Sequence, residues 1–382
     1  MTSLLLIILL LFSFQVKAQV NNLLLTDSLF NQGNINTTLV KLDSLLQNDP
    51  DNTDAALKLG DFYYKVNMLN DAKYFYKESL NRNSASVRGL LGLARIDFLK
   101  GNFNSAQVLL KKVISLNSNL FSPYSILGKI YFLKNNIELA QYYFNQSLIV
   151  DPTSLEGLTN LGLIYQELGK NKLAEKYFKQ AVTFNPKDQI AQINLGNFYS
   201  SIGKYHLAII TLNKALILNQ SNPRVFLSLG ITYLDSRLYD EAKKYFNKIL
   251  ELDELNLDAR FYLLMINFEQ KSFDSAIRHA DILSSLKNNY QQLHLILSNI
   301  YFLLSNIDKA LEEAETEVNY YPDEIEAYYM LGNLYKYNGN EKRYNEIMGT
   351  ILNRFGTVMP NLSVGANHFG NASISTTKIG KK

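Results

Sequence analysis

The sequence predicts an all-α protein, a solenoid of stacked helix–turn–helix repeats. Two observations predict it. A pattern of small and apolar residues recurs every 34 residues without a gap, and each 34-residue repeat contains two runs of apolar residues at helical spacing. A single pair of helices cannot bury its own apolar stripes, so consecutive repeats must stack on one another.

The register is clearest in two columns of the repeat. In a frame that starts at Thr53, the seventh position is leucine in nine consecutive repeats: Leu59, Leu93, Leu127, Leu161, Leu195, Leu229, Leu263, Leu297 and Leu331. The twentieth position is alanine in eight: Ala72, Ala106, Ala140, Ala174, Ala208, Ala242, Ala276 and Ala310.

Each repeat is predicted to contain a first and a second helix. Apolar positions 4, 7, 8 and 11 form the stripe of the first helix, and positions 20, 24, 27 and 28 form that of the second. We expect the small residues at positions 8 and 20 to let the two helix backbones approach closely. Position 15 carries residues that tolerate a left-handed turn: Asn67, Gly101, Asn135, Gly169, Gly203 and Gly339. Proline at position 32 ends the second helix in three repeats, at Pro152, Pro186 and Pro322.

The frame extends back to Gln19, which gives ten repeats over 19–358, starting at 19, 53, 87, 121, 155, 189, 223, 257, 291 and 325. Residues 1–18 contain a short apolar run followed by Val16 and Ala18, which is typical of a signal peptide cleaved after Ala18. An uncleaved anchor is the alternative. Residues 359–382 are expected to form a flexible C-terminal tail, with a partner-docking strand as the alternative.

Composition excludes several kinds of function. The chain has no cysteine, so it has no disulfide, thiolate nucleophile or iron–sulfur cluster. Its net charge of +3 argues against a nucleic-acid-binding protein. Three of the four histidines fall at unrelated positions of the repeat and His368 lies in the tail, and the acidic run at 312–317 is expected to be a solvated helix face. We therefore predict no metal, no cofactor and no catalytic residues, and a protein that is not an enzyme.

The column pattern resembles the tetratricopeptide repeat (TPR), and the resemblance covers nearly the whole chain after residue 18. Departures are strongest in the first repeat, in the repeat that starts at Leu257, and in the second helix of the last. Membership of this family implies a right-handed superhelical solenoid with a concave groove lined by positions 2, 5, 6, 9, 12 and 13 of the first helices. Such a groove binds extended peptides or partner helices.

Several residues at these groove positions are candidates for partner binding. The early repeats place cations and aromatic rings there, which suits recognition of an acidic or carboxylate-bearing segment: Arg88, Arg95, Lys129, Phe98 and Phe132. The middle repeats place amides there, which could hold a peptide backbone: Asn160, Asn194 and Asn197. The later repeats place aromatic residues there, including Phe261, Tyr262 and Phe302. The same residue types are also common in this family without a known ligand, so both interpretations stay open here.

The predicted function is a non-catalytic scaffold or adaptor of the cell envelope that binds other proteins. The alternative is a receptor or periplasmic chaperone for extended acidic segments. We expect export, with the periplasm as the first expectation and the extracellular space as the second. The expected partners are proteins or peptides, with no nucleic acid and no stable membrane span once the signal is removed.

Overall fold

The computed structural model describes residues 25–26, 28–29, 34–49 and 52–356. The expected signal peptide and C-terminal tail lie outside these residues. Residues 34–49 and 52–356 contain nineteen α-helices and no strand, which confirms the all-α prediction. The helices are α1 (Ile35–Asn48), α2 (Thr53–Lys65), α3 (Leu69–Arg82), α4 (Val87–Leu99), α5 (Phe103–Leu116), α6 (Phe121–Leu133), α7 (Ile137–Val150), α8 (Leu155–Glu167), α9 (Asn171–Phe184), α10 (Gln189–Ser201), α11 (Tyr205–Leu218), α12 (Pro223–Asp235), α13 (Tyr239–Leu252), α14 (Leu257–Glu269), α15 (Phe273–Leu286), α16 (Leu293–Leu303), α17 (Ile307–Tyr320), α18 (Ile325–Tyr337) and α19 (Glu341–Phe355).

The chain divides into two compact units, residues 1–195 and 196–382, and the division falls inside α10. Within each unit, a first helix packs on the second helix of its own repeat, and that second helix packs on the first helix of the next. Each unit is therefore a stack of helix pairs, as a solenoid requires. The first helices α2, α4, α6, α8 and α10 begin 34 residues apart, and so do α12 and α14.

One first helix departs from the expected frame. The repeat pattern places its start at residue 291, but α16 begins at Leu293. Gln292 has a left-handed backbone with φ of 67°, and its N–H donates a 2.8 Å hydrogen bond to Oε1 of Glu317. The carboxylate thus holds the residue before the helix in a conformation that cannot continue it.

The turn between the two helices has the same geometry throughout. Position 15 has a positive φ in all nine repeats that start between 53 and 325. The N–H of position 16 donates to the carbonyl of position 11, as Lys170 does to Tyr165 at 2.8 Å. The prediction is confirmed at the glycines and asparagines. The same geometry also occurs at residues that sequence reasoning missed: Arg237, Lys271 and Ser305.

The small residue at position 8 has a different role from the predicted one. A Cβ atom on Gly128 would lie 2.7 Å from Cδ1 of Phe144, and one on Gly230 would lie 2.8 Å from Cε1 of Phe246. The glycine makes room for the large side chain at position 24, and so it does not serve mainly to bring two backbones together. The alanine at position 20 is completely buried in each of the eight repeats that carry it.

The acidic run at 312–317 is not the solvated face that the sequence predicts. Glu317 is 1% exposed, and Glu313 is half-buried against His294. The run lies on α17, whose inner face packs on α16, so the helical period turns two of its carboxylates inward.

Candidate interaction surface

The residues at positions 2, 5, 6, 9, 12 and 13 of the first helices form what we call the first-helix face. In the first compact unit, hydrogen bonds cross this face from position 9 of one repeat to position 2 of the next. The guanidinium of Arg88 donates to Oδ2 of Asp61 from Nε at 2.8 Å and also from Nη2. The other carboxylate oxygen of Asp61, Oδ1, accepts a third bond, 2.6 Å long, from the hydroxyl of Tyr76. Burial first, and then the charge of Asp61, raise the pKa of Tyr76.

The next two repeats also have contacts between position 9 and the position 2 that follows it, and we call this series of contacts the ladder. Nη2 of Arg95 donates to Oγ of Ser122 at 3.0 Å, and Lys129 forms an ion pair with Glu156. One repeat further on, the two positions hold Leu163 and Ile190, which are both exposed. The ladder is therefore polar over three steps and then becomes apolar.

The ladder changes the interpretation of the three candidate cations. Arg88 and Lys129 each face a carboxylate, which balances their charge. The hydrogen-bond partner of Arg95 is a neutral hydroxyl, so its positive charge is not balanced by that bond. Of the three predicted cations, Arg95 is therefore the one that pairs with a neutral group and not with a carboxylate.

The two candidate aromatic residues are half-buried. Phe98 packs against the core around Leu110, with its ring centroid 6.0 Å from that of Phe103, and Phe132 packs against the core around Phe144. Both side chains thus stabilise the repeats and are only partly available on the surface.

The neighbours of these phenylalanines were missed by sequence reasoning. Leu99 and Leu133 are 54% and 60% exposed. Lys100 and Lys134 follow them in the chain and are also exposed. The signal in the sequence is the run Phe-Leu-Lys, which occurs at 98–100 and again at 132–134, one repeat later.

The three candidate asparagines do not form one described cluster. Nδ2 of Asn160 donates a 2.7 Å hydrogen bond to the carbonyl of Glu156 in its own helix. Asn194 is half-buried and Asn197 is exposed, and the division between the compact units lies between them. A joint amide site therefore stays a prediction.

The predicted aromatic groove of the later repeats is wrong at two positions. Phe261 is 1% exposed and Tyr262 is 3% exposed. The Tyr262 ring stacks on Phe246 at 4.8 Å, and the Phe261 ring lies 4.9 Å from that of Tyr290. These side chains fill the junctions with the neighbouring helices, whereas Phe302 is partly exposed.

A buried polar cluster in the second compact unit surrounds His294, which is 5% exposed. Its Nδ1 lies 2.6 Å from Oε2 of Glu313 and its Nε2 lies 2.8 Å from the carbonyl oxygen of Asn288. Burial lowers the pKa of His294, but these hydrogen bonds and the nearby carboxylates outweigh it, so the pKa is raised. Burial also raises the pKa of Glu317.

The described residues offer no metal site and no membrane span. In 34–49 and 52–356, no three side chains of His, Asp or Glu come together as a metal ion requires. No helix in these ranges is both long enough and apolar enough to cross a bilayer.

The stacked helix pairs and their 34-residue period define a helical-repeat protein. The family model for the tetratricopeptide repeat matches residues 155–188, and related models of that repeat match 191–222 and 227–283. The chain is a tetratricopeptide repeat protein. No curated protein matches its sequence.

Solved structures support the same fold. A tetratricopeptide repeat protein from Parabacteroides merdae is 18% identical, over 65% of this chain and 98% of that one, with a TM-score of 0.53. PilW, a type IV pilus biogenesis factor, is 21% identical over 55% of this chain and 98% of its own, with a TM-score of 0.51. A chain of the APC/C hetero-tetramer Cut9–Hcn1 is 17% identical over 77% of this chain and 58% of its own, with a TM-score of 0.54.

Proposed function

We propose that the protein is a non-catalytic scaffold of the cell envelope that binds partner proteins on its first-helix face. The observation that carries the proposal is the commitment of residues 52–356 to helix pairs and their turns, with no part of this range left for a separate catalytic domain. Repeat solenoids use such continuous faces for binding. The first compact unit offers a face with a guanidinium bonded to a neutral hydroxyl, partly exposed phenylalanines and exposed leucines.

The second candidate function is a receptor or chaperone for extended acidic segments. Arg95 favours it, because a guanidinium next to aromatic edges suits the binding of a carboxylate. The two functions differ in stoichiometry. A scaffold holds a few partners in fixed ratio, whereas a chaperone captures many clients substoichiometrically.

Crosslinking in cells, followed by purification of the tagged full chain and mass spectrometry, tests the proposal. The informative variant is Arg95→Glu, because the charge reversal breaks no ion pair. The matched control is Lys111→Glu, which makes the same change at an exposed residue on a second helix.

A few envelope proteins that are captured in fixed ratio, retained by Lys111→Glu and lost by Arg95→Glu would support the scaffold. A broad spread of clients would instead favour the chaperone. Partners that are lost only in Lys111→Glu would contradict the assignment to the first-helix face. The N-terminal sequence of the mature protein and its distribution among cell fractions test the export component, which is contradicted by an intact N-terminus in the cytoplasm.

A further inference from the structure

We propose that Leu99, Lys100, Leu133 and Lys134 form a docking ledge for an acidic segment of a partner protein with two apolar side chains. We call these four residues the Leu-Lys ledge. The proposal rests on the proposed function, because it specifies where on the first-helix face a partner is held and by what chemistry.

The two halves of the ledge lie on neighbouring helices. Leu99 is the last residue of α4 and Leu133 is the last residue of α6, and these two first helices contact each other directly. Packed helices have axes about 8–10 Å apart. Leu99 and Leu133 are largely exposed and hold the same position of consecutive repeats, so we infer a separation of about this size for the two leucines.

The fold does not require leucine at this position. Other repeats place charged residues at position 13, where Glu167, Asp235 and Glu269 are also exposed. Because the same position accepts a carboxylate elsewhere, the stack does not require an exposed leucine in these two consecutive repeats. Adjacent exposed apolar side chains are typical of a surface that is buried in a complex.

The cations of the ledge give it a preferred charge. Nζ of Lys100 donates to Oδ1 of Asn70 at 2.7 Å, and Nζ of Lys134 donates to Oδ1 of Asn104 at 2.9 Å and to Oε1 of Gln107 at 3.3 Å. These amide oxygens position the two ammonium groups but carry no charge to balance them. A partner with carboxylates is therefore attracted and a basic partner is repelled.

These features define the occupant. In a polyproline II segment, which completes a turn every three residues and rises about 3.1 Å per residue, side chains at i and i+3 lie on the same face about 9 Å apart, which matches the spacing of neighbouring helices. The ledge thus fits an extended segment with apolar residues at i and i+3 and with acidic residues beside them. The C-terminal tail of this chain ends in Lys378, Lys381 and Lys382, so its charge does not suit the ledge.

The test measures fluorescence anisotropy of a labelled peptide, Gly-Glu-Leu-Ser-Ser-Leu-Glu-Gly, with the full-length chain. We expect saturable binding that is at least tenfold weaker in the double variant Leu99→Ser/Leu133→Ser. The matched control is Leu303→Ser, which removes a 41% exposed leucine at position 13 in the second compact unit and should bind as the unchanged protein does. Binding that is indifferent to the double substitution would overturn the proposal.

Two further sets of measurements separate the contribution of charge to binding from that of apolar contact. Lys100→Gln/Lys134→Gln should weaken binding and remove most of its salt dependence, and so should a peptide with glutamine in place of both glutamates. A peptide with its leucines adjacent, instead of three residues apart, should bind at least tenfold more weakly. Equal binding of the two peptides would contradict the spacing argument.

The ledge and the scaffold can fail separately. If crosslinked partners are retained by Leu99→Ser/Leu133→Ser but lost by Arg95→Glu, the ledge is wrong and the scaffold stands. If the peptide binds as expected but cells yield no stoichiometric partner, the ledge stands as a peptide site and the scaffold is wrong. A circular dichroism melt of the double variant shows whether the repeats are still folded.

Discussion

A Cβ atom added to Gly162 would lie 2.8 Å from Cε1 of the Phe178 ring, so these two residues pack in contact across the helices of one repeat. Phe178 is 1% exposed and so lies in the interior, where side chains are close-packed. The same relationship joins Gly60 to Tyr76. The recurring glycine at position 8 is thus explained by the side chain sixteen residues later.

Gly162→Ala should destabilise the protein although alanine is the better helix former. Alanine gains about 1 kcal/mol of helix propensity, but overpacking against Phe178 costs about 1–3 kcal/mol. The control is Gly349→Ala in α19, where an added Cβ meets no atom within 4 Å and stability should rise by about 1 kcal/mol. Denaturant unfolding of both variants checks this, and shifts in the same direction would disprove the packing account.

Ala174→Leu should destabilise the junction between α8 and α9. Ala174 has no exposed surface, and three added heavy atoms at a filled site cost about 1–3 kcal/mol. Lys172→Leu adds a leucine at an exposed position of the same helix and should change stability by less than about 0.5 kcal/mol. Thermal melts compare the two, and an unchanged melt for Ala174→Leu would contradict the buried assignment.

The ion pair between Asp61 and Arg88 should contribute a small coupling energy. Both side chains are partly exposed, so solvent screens the pair, and we expect a coupling of about 0.2–1 kcal/mol. A double-mutant cycle with Asp61→Asn and Arg88→Gln measures it, and Asn at 61 keeps an acceptor for the Tyr76 hydroxyl. A coupling of zero would mean that Arg88 is not held by this ion pair and that its charge is available to a partner.

Raising the pH should loosen the α16–α17 pair before the rest of its compact unit. The folded-state pKa of His294 lies above its unfolded value of about 6.5. The histidine therefore contributes stability that is fully present below about pH 6.5 and is lost as pH rises through the folded-state pKa. The raised pKa of Glu317 acts in the same direction, because its buried carboxyl must ionise as pH rises. Amide exchange protection factors across 293–303 should fall over this range.

Glu313→Gln is the variant for this experiment. It removes the carboxylate that faces Nδ1 of His294, so it should lower the pKa of His294 and shift the loss of protection to lower pH. NMR titration of the imidazole reads that pKa directly. An unchanged titration would show that Glu313 does not stabilise the imidazolium.

Sequence reasoning failed where the type of residue did not indicate its structural role. The turn geometry persists at Arg237, Lys271 and Ser305 because the backbone hydrogen bonds of the turn impose it whichever side chain is present. Glu317 lies inside because α17 packs on α16, and the acidic character of its segment gave no sign of this. Phe261 and Tyr262 lie at predicted groove positions, yet they are long enough to reach the neighbouring helices and be buried there.

The sequence by itself determined the period, the helix pairs and the family, because a 34-residue spacing of leucine and alanine admits one way of burying both helix stripes. Only the tertiary structure decided which exposed residues are available to a partner. Arg88 and Asp61 are 27 residues apart in the chain and meet only because neighbouring repeats stack. Leu99 and Leu133 likewise become neighbours only when α4 contacts α6. A repeat pattern specifies what each position buries within its own repeat, whereas the charges and apolar groups that remain on the surface depend on which residue the next repeat brings beside them.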